Sequence, residues 1–172
     1  MDANALRALQ APLKEKYKQD AEAGVVTLRA RGELDDAKIA CKVETGRALI
    51  LAGLHPATGG SGAELCSGDM LLEALVACAG TTMKAVATAL EVPLAKAVVR
   101  AEGEIDFRGT LGVDREAPVG FRAIRLSFDL ETDAPAEKVD KLVKLTERYC
   151  VIFQSLNRRP DLSVAVNRTA LP

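Results

Sequence analysis

The sequence predicts an α+β protein, and three observations carry that expectation. One stretch, Asp69 to Glu91, is apolar around most of its circumference when set at helical spacing. A second stretch carries a single clean stripe made of Val139, Leu142, Val143, Thr146, Tyr149, Cys150, Phe153 and Leu156. Much of the remaining chain alternates polar and apolar residues in short runs, as half-buried strands do. At 172 residues the chain suffices for one domain that buries roughly 70% of its unfolded surface. The expected division is a helical arm over 1–20 and a single domain over 21–172.

In chain order, the arm places Leu6, Leu9, Leu13 and Tyr17 at spacings of three and four, and Pro12 should kink or restart it. Gly24 and Gly46 bracket two strands, Val25 to Arg31 and Ile39 to Thr45. On the first, Val25, Thr27, Arg29 and Arg31 share one face, opposite Val26, Leu28 and Ala30. Arg47 to Leu54 reads as a third strand, and His55 to Gly68 as a loop rich in glycine and proline. The pair Gly59-Gly60 is followed by no Lys-Ser/Thr, so a phosphate cradle is not indicated. Asp69 stands at the expected start of the first long helix, where a carboxylate caps free amides, and Val92-Pro93 ends it. A helix of this size that is apolar on nearly every side needs more cover than one such domain gives. The pattern therefore predicts a homodimer. Lys96 to Arg108 and Phe121 to Glu131 are two further strands around a polar loop, Gly109 to Gly120. Asp133 as cap and Pro135 in the first turn open the second helix. Asn157 to Pro160 terminates it, and Leu162 to Val166 makes a short last strand.

Composition narrows the partners. The formal net charge is −1, basic and acidic residues are interspersed, and aromatics make up 3% with no Trp. Neither a basic stripe nor stacking platforms are present, so nucleic acid is not an expected partner. The start, Met1-Asp2-Ala3-Asn4, has no basic region followed by an apolar one, and Glu73 and Lys84 break the longest apolar stretch. A cytoplasmic protein with no membrane partner is expected, and in that compartment its four cysteines should be reduced. No Cys-x-x-Cys occurs and the only histidine is His55, so neither a metal site nor a cofactor is expected. Cys41 and Cys66 read as buried space-fillers.

Cys78 and Cys150 differ because each lies on the apolar stripe of its own long helix. Leu71, Leu75, Cys78, Thr82, Ala85 and Ala89 share a face, and Ala74, Ala77, Ala79 and Gly80 leave room for another helix to approach. Residue pattern alone leaves two readings open: inert packing, or a redox pair.

The segments Ser67-Gly-Asp-Met-Leu-Leu-Glu-Ala-Leu-Val-Ala-Cys78 and Glu147-Arg-Tyr-Cys150-Val-Ile-Phe-Gln-Ser-Leu156 resemble the two cysteine-bearing runs of the OsmC/Ohr family of thiol peroxidases, as does Leu90-Glu-Val-Pro93. The resemblance covers roughly residues 25–168. It implies antiparallel sheets wrapped around two long central helices in an intertwined homodimer. It also implies a peroxidase in which Cys78 attacks a hydroperoxide and Cys150 resolves the sulfenic acid as a disulfide. A dithiol would be the reductant, and the family favours a lipoyl group. The family's cation beside the thiolate maps to Arg31, with Arg29 as alternative, and its carboxylate maps to Asp69. Three positions depart from the family pattern: Gly68 where a glutamate is common, Ser67 for the helix-start proline, and Val151 for the proline after the second cysteine. These departures favour the other reading, a non-enzymatic dimer that binds a small apolar or electrophilic ligand with its thiols serving only packing.

Overall fold

The structure, a computed structural model, describes residues 2–19, 31–34, 40–44, 49–112 and 114–168. In chain order these form α1 (Ala3–Gln19), β1 (Arg31–Leu34), β2 (Ala40–Glu44), β3 (Leu49–Gly53), β4 (Leu65–Cys66), α2 (Ser67–Leu90), β5 (Lys96–Ile105), α3 (Phe107–Thr110), β6 (Phe121–Glu131), α4 (Ala136–Tyr149) and α5 (Val151–Asn157). A single 3-10 turn, Pro56–Thr58, lies between β3 and β4. One sheet runs β1-β2-β3-β4, antiparallel except for the short β3–β4 pairing, which is parallel. The other is the antiparallel pair β5–β6, with Lys96 opposite Glu131 and Ile105 opposite Phe121.

The core follows from α2. Its residues Leu75, Ala79, Met83, Val86 and Ala87 are buried at steps of three, four and one, which makes a single inner stripe. Toward its C-terminal end, Met83, Val86 and Ala87 pack with Val92 and Leu142, under Phe128 and Leu130. Toward its middle, Leu75 and Ala79 pack with Cys150, under Val99, Ala101, Ile124 and Leu126. Gly103 in β5 leaves room for the Phe121 ring of β6 above Leu72 of α2. A Cβ there would stand 2.3 Å from the Phe121 ring. Among the described residues, α2 is the one helix long and apolar enough to cross a membrane. Most of its apolar stretch is not buried within the single chain.

Several elements differ from expectation. The second long helix is two helices: α4 stops at Tyr149, Cys150 is extended (φ −72°, ψ 108°), and α5 begins at Val151. Cys150 belongs to both ends. Its N–H donates to the Thr146 carbonyl, closing α4, and its Sγ accepts the Phe153 N–H at 3.5 Å, capping α5. α2 starts two residues before Asp69, with Cys66 at the cap position, so Asp69 sits inside the first turn. At α4 the cap position is Pro135, not Asp133. Thr132 fixes that entry instead, its hydroxyl donating to the Pro93 carbonyl and accepting the Ala134 N–H. β5 ends at Ile105 because the Asp106 carboxylate turns the chain into α3 by accepting the Arg108 N–H at 3.1 Å. α1 stays helical through Pro12. Leu162 to Val166 is no strand: it has no sheet partner among the described residues, and its Leu162, Val164 and Val166 are 79%, 92% and 85% exposed. Most of the first predicted strand, with Arg29, lies outside the described residues.

Candidate active site

Cys78 stands in the middle of α2, and the break between α4 and α5 is packed against it. The opening of a helix leaves amide N–H groups without internal carbonyl partners. In α5 one of these, Phe153 N–H, is taken by the Cys150 sulfur, and Gln154 N–H returns to the Cys150 carbonyl. The N–H groups of Val151 and Ile152 open α5 beside Cys78, and both favour its thiolate. The Cys150 thiol and the Thr82 hydroxyl, the latter one turn further along α2, favour the charged form of Cys78 as well.

These contacts separate the two thiols electrically. Burial pushes the Cys78 thiol up, but the Ile152 amide, the Cys150 thiol, the Val151 amide and the Thr82 hydroxyl together bring it below its ordinary value. Cys150 is fully buried. That burial raises it, the Phe153 amide opposes, and donation to Cys78 raises it again, so the net shift is upward. Cys78 is therefore the sulfur that loses its proton first, and Cys150 the one that keeps it. Both are free thiols. Among the described residues, the groups that lower Cys78 are backbone amides and uncharged side chains.

The remaining wall is apolar: Val99, Ala101, Ile124, Leu126 and Phe128 from the β5–β6 sheet. A groove of about 560 Å³ opens beside it between α2, β6 and α5, floored by Leu71, Leu75, Ile124 and Phe153. Leu75 is one turn from Cys78, so the groove leads toward the sulfur. On the outer side, Tyr149 and Val151 flank Cys150 and are more than half exposed.

Of the residues expected at the site, the structure unites Cys78 and Cys150. Asp69 faces elsewhere, into a separate cavity of about 440 Å³ shared with His55, Cys66, Phe107, Phe121 and Arg122. Nine residues along the helix put it about 14 Å from Cys78. His55 is stacked on Phe107, ring centroids 4.8 Å apart, and its Nδ1 accepts the Ala57 N–H. Arg31 is the first residue of β1, opposite Glu44, and Cys41 is in β2, opposite Ala52. Among the described residues no three potential ligands gather to hold a metal ion. Sequence reading missed the two amides, which carry no side-chain signal. Thr82 was legible four residues beyond Cys78 on the same face.

An α+β scaffold that closes two thiols from separate helices onto each other defines a paired-thiol protein. Residues 60–165 match the family model described as OsmC-like protein, and the chain belongs to that family. No curated protein matches the chain in sequence. Among solved structures, it is similar to an OsmC-like protein from Mycoplasma pneumoniae (16% identity, TM-score 0.63, covering 77% of this chain and 88% of that one). It is also similar to a protein from Legionella pneumophila described as an organic hydroperoxide resistance protein OsmC and predicted redox protein (14%, 0.59, 77% and 90%). A third is the organic hydroperoxide resistance protein OhrB of Bacillus subtilis (15%, 0.51, 77% and 93%). At these identities the structural likeness speaks for the fold.

Proposed function

We propose that the protein is a thiol-dependent peroxidase acting on organic hydroperoxides or hydrogen peroxide, working as an intertwined homodimer. The Cys78 thiolate attacks one peroxide oxygen, the O–O bond breaks, and the departing oxygen takes a proton to leave as alcohol or water. Cys78 becomes a sulfenic acid. The Cys150 sulfur then displaces the sulfenic oxygen, which leaves as water, and a disulfide joins the two positions. An external dithiol, for which the family resemblance favours a lipoyl group, restores both thiols by exchange and is itself oxidised to a disulfide. Arg31 is the cation the resemblance assigns beside the thiolate. Asp69, in its own cavity, is given no step here.

The observation that supports this reading best is the packing of two free thiols from remote segments against each other, with burial and neighbours favouring the thiolate at Cys78 and the thiol at Cys150. Mere packing requires no such division. The apolar groove suits the organic part of a hydroperoxide. The uncovered apolar surface of α2 suits a second subunit. Purified protein should consume cumene hydroperoxide with a dithiol donor, and Cys78→Ser should abolish that turnover. Undiminished multiple turnover in the Cys78→Ser protein would overturn the proposal and favour a ligand-binding dimer.

A further inference from the structure

Charge is distributed unevenly over this molecule. Along β5 and β6 the cations meet carboxylates: Lys96 pairs with Glu131, Arg100 with Asp129 and Arg125 with Glu104. Residues 141–159, which carry the end of α4, the break and α5, are different. They hold five cations, Lys141, Lys144, Arg148, Arg158 and Arg159, against one carboxylate, Glu147, in a chain of formal net charge −1. With the bordering Asp140 and Asp161 counted, cations remain in excess. All five cations are exposed, and none forms an ion pair among the described residues. Arg148 lies instead over the Tyr149 ring, 5.6 Å from its centroid. The same stretch leaves Tyr149, Val151 and Leu156 at 57%, 65% and 40% exposed. Exposed apolar side chains among unpaired charges of one sign have the composition of an interface, an apolar centre with a polar rim. A two-fold contact centred here would set these cations against their own copies, so the complementary partner is acidic.

We propose that the α4–α5 face, with Arg148, Arg158 and Arg159 around Tyr149, Val151 and Leu156, docks an acidic carrier protein that presents the reducing dithiol. This rests on the peroxidase reading for the need of a reductant and names the kind of partner that brings it. The face adjoins the way in. Phe153, Leu156 and Asn157 of α5 line the groove that leads toward Cys78, and Arg158 and Arg159 follow directly. Leu71, which also lines the groove, is seven residues from Cys78, so the groove runs about 10 Å along α2. A dithiol held on an extended arm reaches that far while its carrier stays on the charged rim. One thiolate of the dithiol attacks the Cys78 sulfur, and the bond between Cys78 and Cys150 breaks. Cys150 leaves and takes up a proton. The second sulfur of the dithiol then displaces Cys78, closing its own disulfide, so two electrons and two protons pass from the dithiol to the cysteine pair.

The test follows reduction of the 78–150 disulfide in the full-length protein, formed with diamide so that no peroxide is required. Two reductants are compared: a reduced lipoyl carrier domain of net negative charge, and free dihydrolipoamide. The double variant Arg158→Glu/Arg159→Glu should slow the carrier reaction about tenfold at low salt and leave the dihydrolipoamide rate unchanged. The wild-type carrier rate should fall toward that of the variant as salt rises from about 0.01 M to about 1 M, which shortens the screening length from about 30 Å to about 3 Å. Should the charge reversal disturb folding, Arg158→Gln/Arg159→Gln should slow the carrier reaction in the same direction by less. A carrier rate that ignores both the substitutions and salt overturns the proposal, as does equal slowing with both reductants. Self-association or DNA binding lost in the double variant, with the carrier rate unmoved, assigns the face to those partners and overturns it too. Charge-dependent reduction by the carrier in a protein that consumes no hydroperoxide upholds the docking face and overturns the peroxidase reading alone. Failure of diamide to form the disulfide overturns both.

Discussion

Replacing Cys150 by serine and by alanine separates two jobs that one sulfur performs. Cys150 caps α5 by accepting the Phe153 N–H, and it donates its own proton toward Cys78. Serine keeps a hydroxyl able to do both, whereas alanine does neither. Losing a cap costs about 1 kcal/mol. Losing a weak donor to a thiolate costs about 1 kcal/mol more in the charged state, slightly under one pKa unit, or roughly a fivefold smaller thiolate fraction at pH 7. The first attack on cumene hydroperoxide, followed by stopped flow with limiting peroxide, should therefore be about fivefold slower in Cys150→Ala than in Cys150→Ser. Urea denaturation should show the alanine protein less stable by about 1 kcal/mol. Both variants should stall after one attack per site, since neither can form the disulfide. Equal first-attack rates in the two variants would refute the donor role and with it the assigned direction of proton sharing.

Three further outcomes follow from the same geometry. Leu142 is fully buried between α2 and β6, so Leu142→Ala should cost about 2–5 kcal/mol by chemical denaturation while leaving the Cys78 alkylation midpoint of the folded protein in place. Asp69→Asn should leave that midpoint unchanged as well, because Asp69 lines the cavity of His55 and Cys66; a shift would bring the carboxylate to the thiol through a second subunit. Cys78 is lowered and Cys150 raised, so on raising the pH Cys78 must ionise first. Site-resolved alkylation should show Cys78 reacting below the ordinary thiol range and Cys150 lagging above it, and the reverse order would contradict the account.

The core of the fold was legible because its signals are local. The apolar pattern of α2 and the alternation of Phe121 to Glu131 both reappear as an element with nearly the expected bounds. The break at Cys150 was not legible. No proline or glycine marks it, and the apolar stripe from Val139 to Leu156 runs on at helical spacing through the interruption. What favours the break there is tertiary: it is packed against Cys78, which lies 72 residues before Cys150 in the chain. Leu162 to Val166 shows the opposite failure. Its alternation is strand-like, but alternation specifies a face and not a partner, and the segment has none among the described residues. At the site, the two sulfurs could be chosen from their stripes. Asp69 was assigned by resemblance alone, and nine residues along α2, about 14 Å from Cys78, it lines another cavity.

The most direct measurement is a non-reducing peptide map of the reduced full-length protein after one equivalent of cumene hydroperoxide. The account predicts one product, a peptide pair joined between positions 78 and 150 and lighter by two hydrogen atoms than the separate thiol peptides. Oxidation that climbs to sulfinic acid at Cys78 while Cys150 remains an unbridged thiol would contradict it.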